Sequence, residues 1–261
     1  MLIALRTQSF NIPVLWTRFM MREGISGLKS FFFGSRKMMG FSIWSSMIMI
    51  LLVSWIWAGP ASDRTVACAT LICGASTVLF WNSKKTIARI WNPSWSPRKS
   101  FVLIGGLCAV WVETVFWVLE KLLGAQGVAA SPHLGMDLLI TLPWYLLMSH
   151  LFFSTQIKYR YSYTEILLLG GLYELGADGI FGQMLSGITV EGLLQIVFIF
   201  PLFVMVYSTI VLPPSYILRP QITSLHASHL DKGHRILGGL RPLGGLIPYV
   251  TLALVIIALT G

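Results

Sequence analysis

Five carboxylates set inside apolar stretches are the residues of this chain that could do chemistry: Glu113, Glu120, Asp137, Glu174 and Asp178. A carboxylate in hydrocarbon costs at least about 2.5–3.5 kcal/mol even on lenient insertion scales, so each must be compensated. Glu174 and Asp178 stand four residues apart in the apolar run 163–185, which also carries Glu165, and on a helix they share one face. Glu113 and Glu120, seven apart in the run 101–123, share a face as well. At about 1.5 Å of rise per residue, Glu113 and Glu174 fall near the middle of their runs, with Asp178 one turn farther out. Asp137 begins the run 136–153 from that same side. Lys121 is the one base within a spanning run in this half, and its position beside Glu120 points it off the Glu113–Glu120 stripe.

Three kinds of chemistry fit such a set. Each acid, kept neutral, could hydrogen-bond a neighbouring helix, as in a structural or assembly subunit of a membrane complex. The acids could instead line a watery cavity that binds a cation or relays protons, as in a cation- or proton-coupled transporter or channel. Or they could act as catalytic acids or metal ligands in an intramembrane enzyme working on a lipid or isoprenoid. Trp111, Phe116, Trp117, Trp144, Tyr145, Tyr173 and Phe181 could then stabilise a cationic intermediate. Several acids in one half with no basic partner favour the second reading. Like charges one turn apart are expected to leave the Glu174–Asp178 pair with at most one negative charge. Gly105, Gly106, Gly170, Gly171, Gly176 and Gly179 suit close helix packing or a hinge beside the acids.

The composition excludes a soluble fold. Only 11% of the 261 residues are charged and 55% are hydrophobic, against roughly 25% charged in soluble domains. The apolar runs are long and lack the two-residue alternation of barrel strands, so an all-α, polytopic transmembrane helix bundle is expected. About seven spans can be read: 39–58, 65–81, 101–123, 136–153, 163–185, 193–212 and 244–260. The bundle is expected over 39–261, with a functional core in 101–212. Leu-x-Gly-Gly-Leu recurs at 103–107 and 168–172, with an acid seven residues after the second glycine each time, a hint of parallel repeats.

The segment 1–38 is basic and reads as an interfacial amphipathic helix, with Arg18, Arg22 and Lys29 facing lipid headgroups. Placing the N-terminus in the cytoplasm puts 17 of the 19 Lys and Arg residues on that side, leaving only Arg64 and Lys121 opposite. The C-terminus is then external and the cell membrane is the expected location. The net charge of +9 follows from this bias, so no nucleic-acid partner is expected. The expected partners are the lipid bilayer, a small cation or proton, and other subunits or copies. The loop residues His226, His229, Asp231 and His234 read as a solvated polar loop, and Cys68, Cys73 and Cys108 as small apolar packing residues. No protease, Walker A or prenyltransferase signature occurs, and no cofactor or metal can be named.

Overall fold

In the computed structural model, residues 36–90, 95–177, 190–225 and 235–260 are described, and among them the chain is helix and turn with no strand. The segment holding Arg18, Arg22 and Lys29 lies outside these residues, as do Asp178, Gly179 and the loop histidines. The chain divides into the units Met1–Leu51 and Leu52–Gly261. In the first, helix α1 (Arg36–Ala58) begins, exposing Ile43, Met47 and Ile50. The second holds the rest of α1 and every element that follows.

The second unit is built from α2 (Ala61–Asn82), α3 (Lys84–Ile90), α4 (Pro97–Leu123), α5 (Leu134–Tyr159), α6 (Tyr163–Ala177), α7 (Val190–Ile217), α8 (Arg219–Ser224), α9 (Arg235–Gly239), a 3-10 turn (Arg241–Gly245) and α10 (Leu246–Thr260). Among the described residues, four stretches are long and apolar enough to cross a membrane: Ala61–Arg89, Pro97–Leu123, Leu134–Tyr159 and Ile196–Ile217. Their most apolar windows are only 33–50% buried within the protein. A soluble helix would put polar residues on the remaining face. Here that face carries Val78, Leu79, Leu107 and Leu122, which is a surface made for lipid.

Local sequence sets the helix ends. The Ser96 side chain accepts from the Lys99 N–H and Pro97 fills the first turn of α4. Gly124, at φ 67°, stops the same helix in the left-handed conformation. The basic segment 82–100, which connects two of the expected spans, is partly helical. Ser83 still bonds back to Leu79, and no proline follows until Pro93, so α3 continues to Ile90. The run 193–212 likewise does not stop at Pro213 and Pro214. α7 passes both prolines to Ile217, because Leu212, Tyr216, Ile217 and Leu218 are buried in the core. Ser215 helps to hold the turn, donating to the Val211 carbonyl and accepting from Gln156 Nε2.

α7 is the central helix, packed against α2, α4 and α6, while α4 also packs on α5 and α2. Between α2 and α7 a hydroxyl cluster replaces apolar contact: Thr77 Oγ1 lies 2.8 Å from Ser208 Oγ and 2.9 Å from Thr209 Oγ1, and Thr209 donates to the Cys73 carbonyl. Four of the six glycines sit where another helix comes close. A Cβ on Gly105 would meet Ser149, on Gly106 Leu146, on Gly170 Val211, and on Gly171 Val204 and Phe200. α6 runs unbroken through Gly170, Gly171 and Gly176. The end of the unit that carries Arg219 and Arg235 is closed by charge and phenol contacts. Arg235 grips both oxygens of Glu165 (2.8 and 2.7 Å), and Tyr161 Oη donates to the Arg235 carbonyl. Burial raises the Tyr161 phenol above its ordinary range, which keeps it a donor. Glu165 thus has the basic partner that adjacency in the sequence does not reveal.

Candidate functional site

The α4–α5 hairpin brings three of the five acids together. Glu113 and Glu120 stand on the buried face of α4 and Asp137 in the first turn of α5, and all three are buried. Two of them organise the connecting loop. Glu120 Oε2 accepts from the N–H groups of Val128 (2.8 Å) and Ala129 (2.7 Å), and Asp137 Oδ1 from that of Ala130 (2.7 Å). Gly124 and Gly127, both at positive φ, turn the backbone out of the helix, so these three consecutive amides need side-chain acceptors.

Lys121 does not point away from Glu120. Its Nζ bonds Glu120 Oε1 at 3.0 Å. Four methylenes let the ammonium fold back to its neighbour while remaining 41% exposed. Glu120 and Asp137, read from the sequence as candidates for a cation or proton site, bond the backbone of loop 124–133, and neither lines the cavity described next.

Glu113 is turned inward. Tyr145 Oη donates to its Oε1 at 2.5 Å, and the Asp137 carboxyl lies against it from the loop side. Glu174, brought by α6, faces Tyr145 and Tyr207. Glu113 and Glu174 line one cavity of about 620 Å³ with Asp63, from the first turn of α2. The segment 127–130 covers part of it, and Trp144, Tyr145, Phe116, Phe203, Tyr207 and Tyr249 give it aromatic walls. No Lys, Arg or His lines it among the described residues. Three buried polar atoms of its wall, Thr70 Oγ1, Trp144 Nε1 and Tyr207 Oη, make no hydrogen bond. The Tyr207 hydroxyl lies against the Glu174 carboxyl, the Tyr145 hydroxyl and the Trp144 indole, none of them in full bonding geometry.

The Glu174–Asp178 stripe is described only as far as Glu174. Asp63, Thr70 and Tyr207 were not singled out by sequence reasoning. The signals for two of them exist: an aspartate in the first turn of an apolar helix, and the one tyrosine in the run 193–212. The cysteines are free thiols, with Cys73 and Cys108 buried. Among the described residues no group of three His, Cys, Asp or Glu side chains is placed to hold a metal ion.

Beyond the cavity, toward the N-terminal end of α4 and the C-terminal end of α5, Phe101, Phe152, Phe153, Ile166 and Ile210 fill the space between helices. The site is thus an acidic, aromatic-walled chamber in one half of the bundle, with packed core residues beyond it. Comparison with protein-family models, with curated proteins and with solved structures finds no match, so the chemistry of this chamber is the ground for any functional reading.

Proposed function

We propose that the chain is a multi-pass membrane protein that binds a cation in this chamber and acts as a cation- or proton-coupled transporter or channel of the cell membrane. The observation that carries the reading is the convergence of Asp63, Glu113 and Glu174, from three separate helices, on one cavity without a lining base among the described residues. Acids placed this way stabilise a positive charge held between them, and low local dielectric strengthens the attraction.

The charge bias supports about seven spans with the N-terminus cytoplasmic and the C-terminus external. The chamber then belongs to the external half, since Asp63 and segment 127–130 lie at connections poor in Lys and Arg. Tags inserted within 84–99 or 215–240 are expected to be protected in right-side-out vesicles, and a tag after Gly261 to be accessible. A protected C-terminal tag contradicts this topology.

Glu174→Gln keeps the shape of the side chain and removes its charge. In proteoliposomes it is expected to weaken cation-dependent stabilisation and flux by about tenfold, the loss of one charged interaction. Glu113→Gln is expected to do the same, with Tyr145 retaining its acceptor. Cation and pH responses of wild-type size in the double variant would rule out an ionisable site.

The aromatic walls of the chamber favour one other reading. Acids beside aromatic walls also suit an intramembrane enzyme acting on a lipid or isoprenoid cation. Binding and turnover without flux would select it.

A further inference from the structure

We propose that the bases of α3 and of the first turn of α4 form a docking surface for the headgroups of anionic phospholipids. The surface lies at the end of α2 away from Asp63, and it does not depend on what the chamber binds. Charge is the first reason. Lys84, Lys85, Arg89, Arg98 and Lys99 all fall within 84–99, and no Asp or Glu occurs between Asp63 and Glu113. A group of about four to eight bases directly beside a spanning helix is the footprint of an anionic lipid surface. Length is the second reason. A hydrocarbon core of about 30 Å takes about 20 helical residues. α2 supplies 22 by itself, so α3 falls past the hydrocarbon, at headgroup level. α4 packs on α2 and returns alongside it. With 27 residues it also exceeds the span, and Arg98 and Lys99 stand at its start.

The build of the surface is the third reason. Ile87 packs toward the core, while Lys85, Arg89, Arg98 and Lys99 are exposed. Trp81 and Trp95 are exposed as well, as indoles at the membrane–water boundary are. Lys84 Nζ stands 3.6 Å from the centre of the Trp81 ring, and Arg98 lies over Phe153. Among the described residues no carboxylate pairs with any of the five bases. Lys84 and Lys85 occupy the first turn of α3, and Arg98 and Lys99 that of α4, and neither turn holds an acid. The helix dipole disfavours positive charge at these positions. A phosphate at the surface offsets that local cost and the mutual repulsion of the bases. The occupant is a bilayer phosphate because the exposed indoles hold these bases at the depth where phospholipid headgroups lie.

The test titrates the full chain, in a neutral detergent, with short-chain phosphatidylglycerol and with phosphatidylcholine of the same acyl chains. Thermal unfolding is followed and bound lipids are counted by native mass spectrometry. Phosphatidylglycerol is expected to bind at least about tenfold more tightly, with the preference shrinking as salt is raised. Lys85→Gln with Arg89→Gln removes two exposed charges and is expected to reduce the preference about fivefold. Replacing all five bases with glutamine is expected to abolish it, with the midpoint in phosphatidylcholine unchanged. Equal affinity for the two lipids in the wild type, or a preference that salt does not weaken, overturns the proposal. So does a full preference in the five-site variant. Where that variant does not fold, the double variant decides, and an undiminished preference there overturns the proposal. Stabilisation by inorganic phosphate or by soluble poly-glutamate, with none by phosphatidylglycerol, assigns a soluble anion or an acidic peptide and overturns the lipid.

Discussion

Gly171→Leu is expected to prevent normal assembly of the bundle, with a loss of at least about 3 kcal/mol, the upper end of what overpacking costs. Even a single Cβ at this position would lie 2.5 Å from Val204 Cγ2, 2.9 Å from Phe200 Cε2 and 3.3 Å from the Val204 backbone nitrogen. The two side-chain atoms could swing away, but the nitrogen belongs to the middle of α7 and moves only with that helix. α6 would have to retreat from the central helix, withdrawing Glu174 from the chamber. Helices in a bilayer gain little from hydrophobic burial against one another, so close backbone approach is the main attraction available to them. Gly171→Ala meets the same contacts with one methyl group, and its cost is offset in part by alanine's helix preference of about 1 kcal/mol. Leu168→Ala, on the exposed side of the same helix, is expected to stay within about 0.5 kcal/mol of wild type. Thermal midpoints in detergent, with the monodisperse fraction on gel filtration, provide the measurement. A Gly171→Leu protein with the wild-type midpoint would show that α6 and α7 do not meet at this residue.

Glu120→Leu is expected to release the α4–α5 loop. The substitution strips the acceptor from the Val128 and Ala129 amides and leaves Lys121 without its partner. An unmade hydrogen bond to a buried donor costs about 1–3 kcal/mol. Both amides are part-buried, so water recovers some of this, and a total of about 2–4 kcal/mol is expected. Glu120→Gln is the informative companion, because its carbonyl oxygen can still accept from both amides. It loses only the ion pair with the partly exposed Lys121, worth about 1 kcal/mol or less. Hydrogen exchange at Val128 and Ala129 separates the two cases: fast in the leucine variant, near wild type in the glutamine variant. Since segment 127–130 lines the chamber, the leucine variant should also bind any chamber ligand more weakly. Unchanged exchange in Glu120→Leu would mean that the loop is held by something other than this carboxylate.

Much of the architecture was legible in the residues because its causes are local. Membrane residence follows from hydropathy and from the scarcity of charge, which depend on composition alone. The ends of α4 follow from Ser96, Pro97 and Gly124, each acting within one turn of its own position. Gly105, Gly106, Gly170 and Gly171 announced close helix contacts because a missing side chain in an apolar helix has few other uses, although their partners could not be named. The continuation of α7 past Pro213 and Pro214 was not legible. Proline's local preference argues for a stop there, and burial of Leu212, Tyr216 and Ile217 against other helices overrides it.

The acids divide along the same line. Their presence in apolar runs, and the stripes they share, were fixed by spacing. Which of them face a cavity was decided only by the fold. Glu120 and Asp137 were spent on three loop amides because Gly124 and Gly127 turn that loop back over the helix ends, a path that residue types alone do not specify. Glu165 met Arg235, 70 residues away, and Lys121 folded back on Glu120. Glu113, Glu174 and Asp63 converge with Trp144, Tyr145 and Tyr207 because α2, α4, α5, α6 and α7 pack around one space. Sequence determined that charge would be carried into the membrane, since that is a property of single segments. Only tertiary structure decided where it would be left facing a chamber, since that is a property of five helices at once.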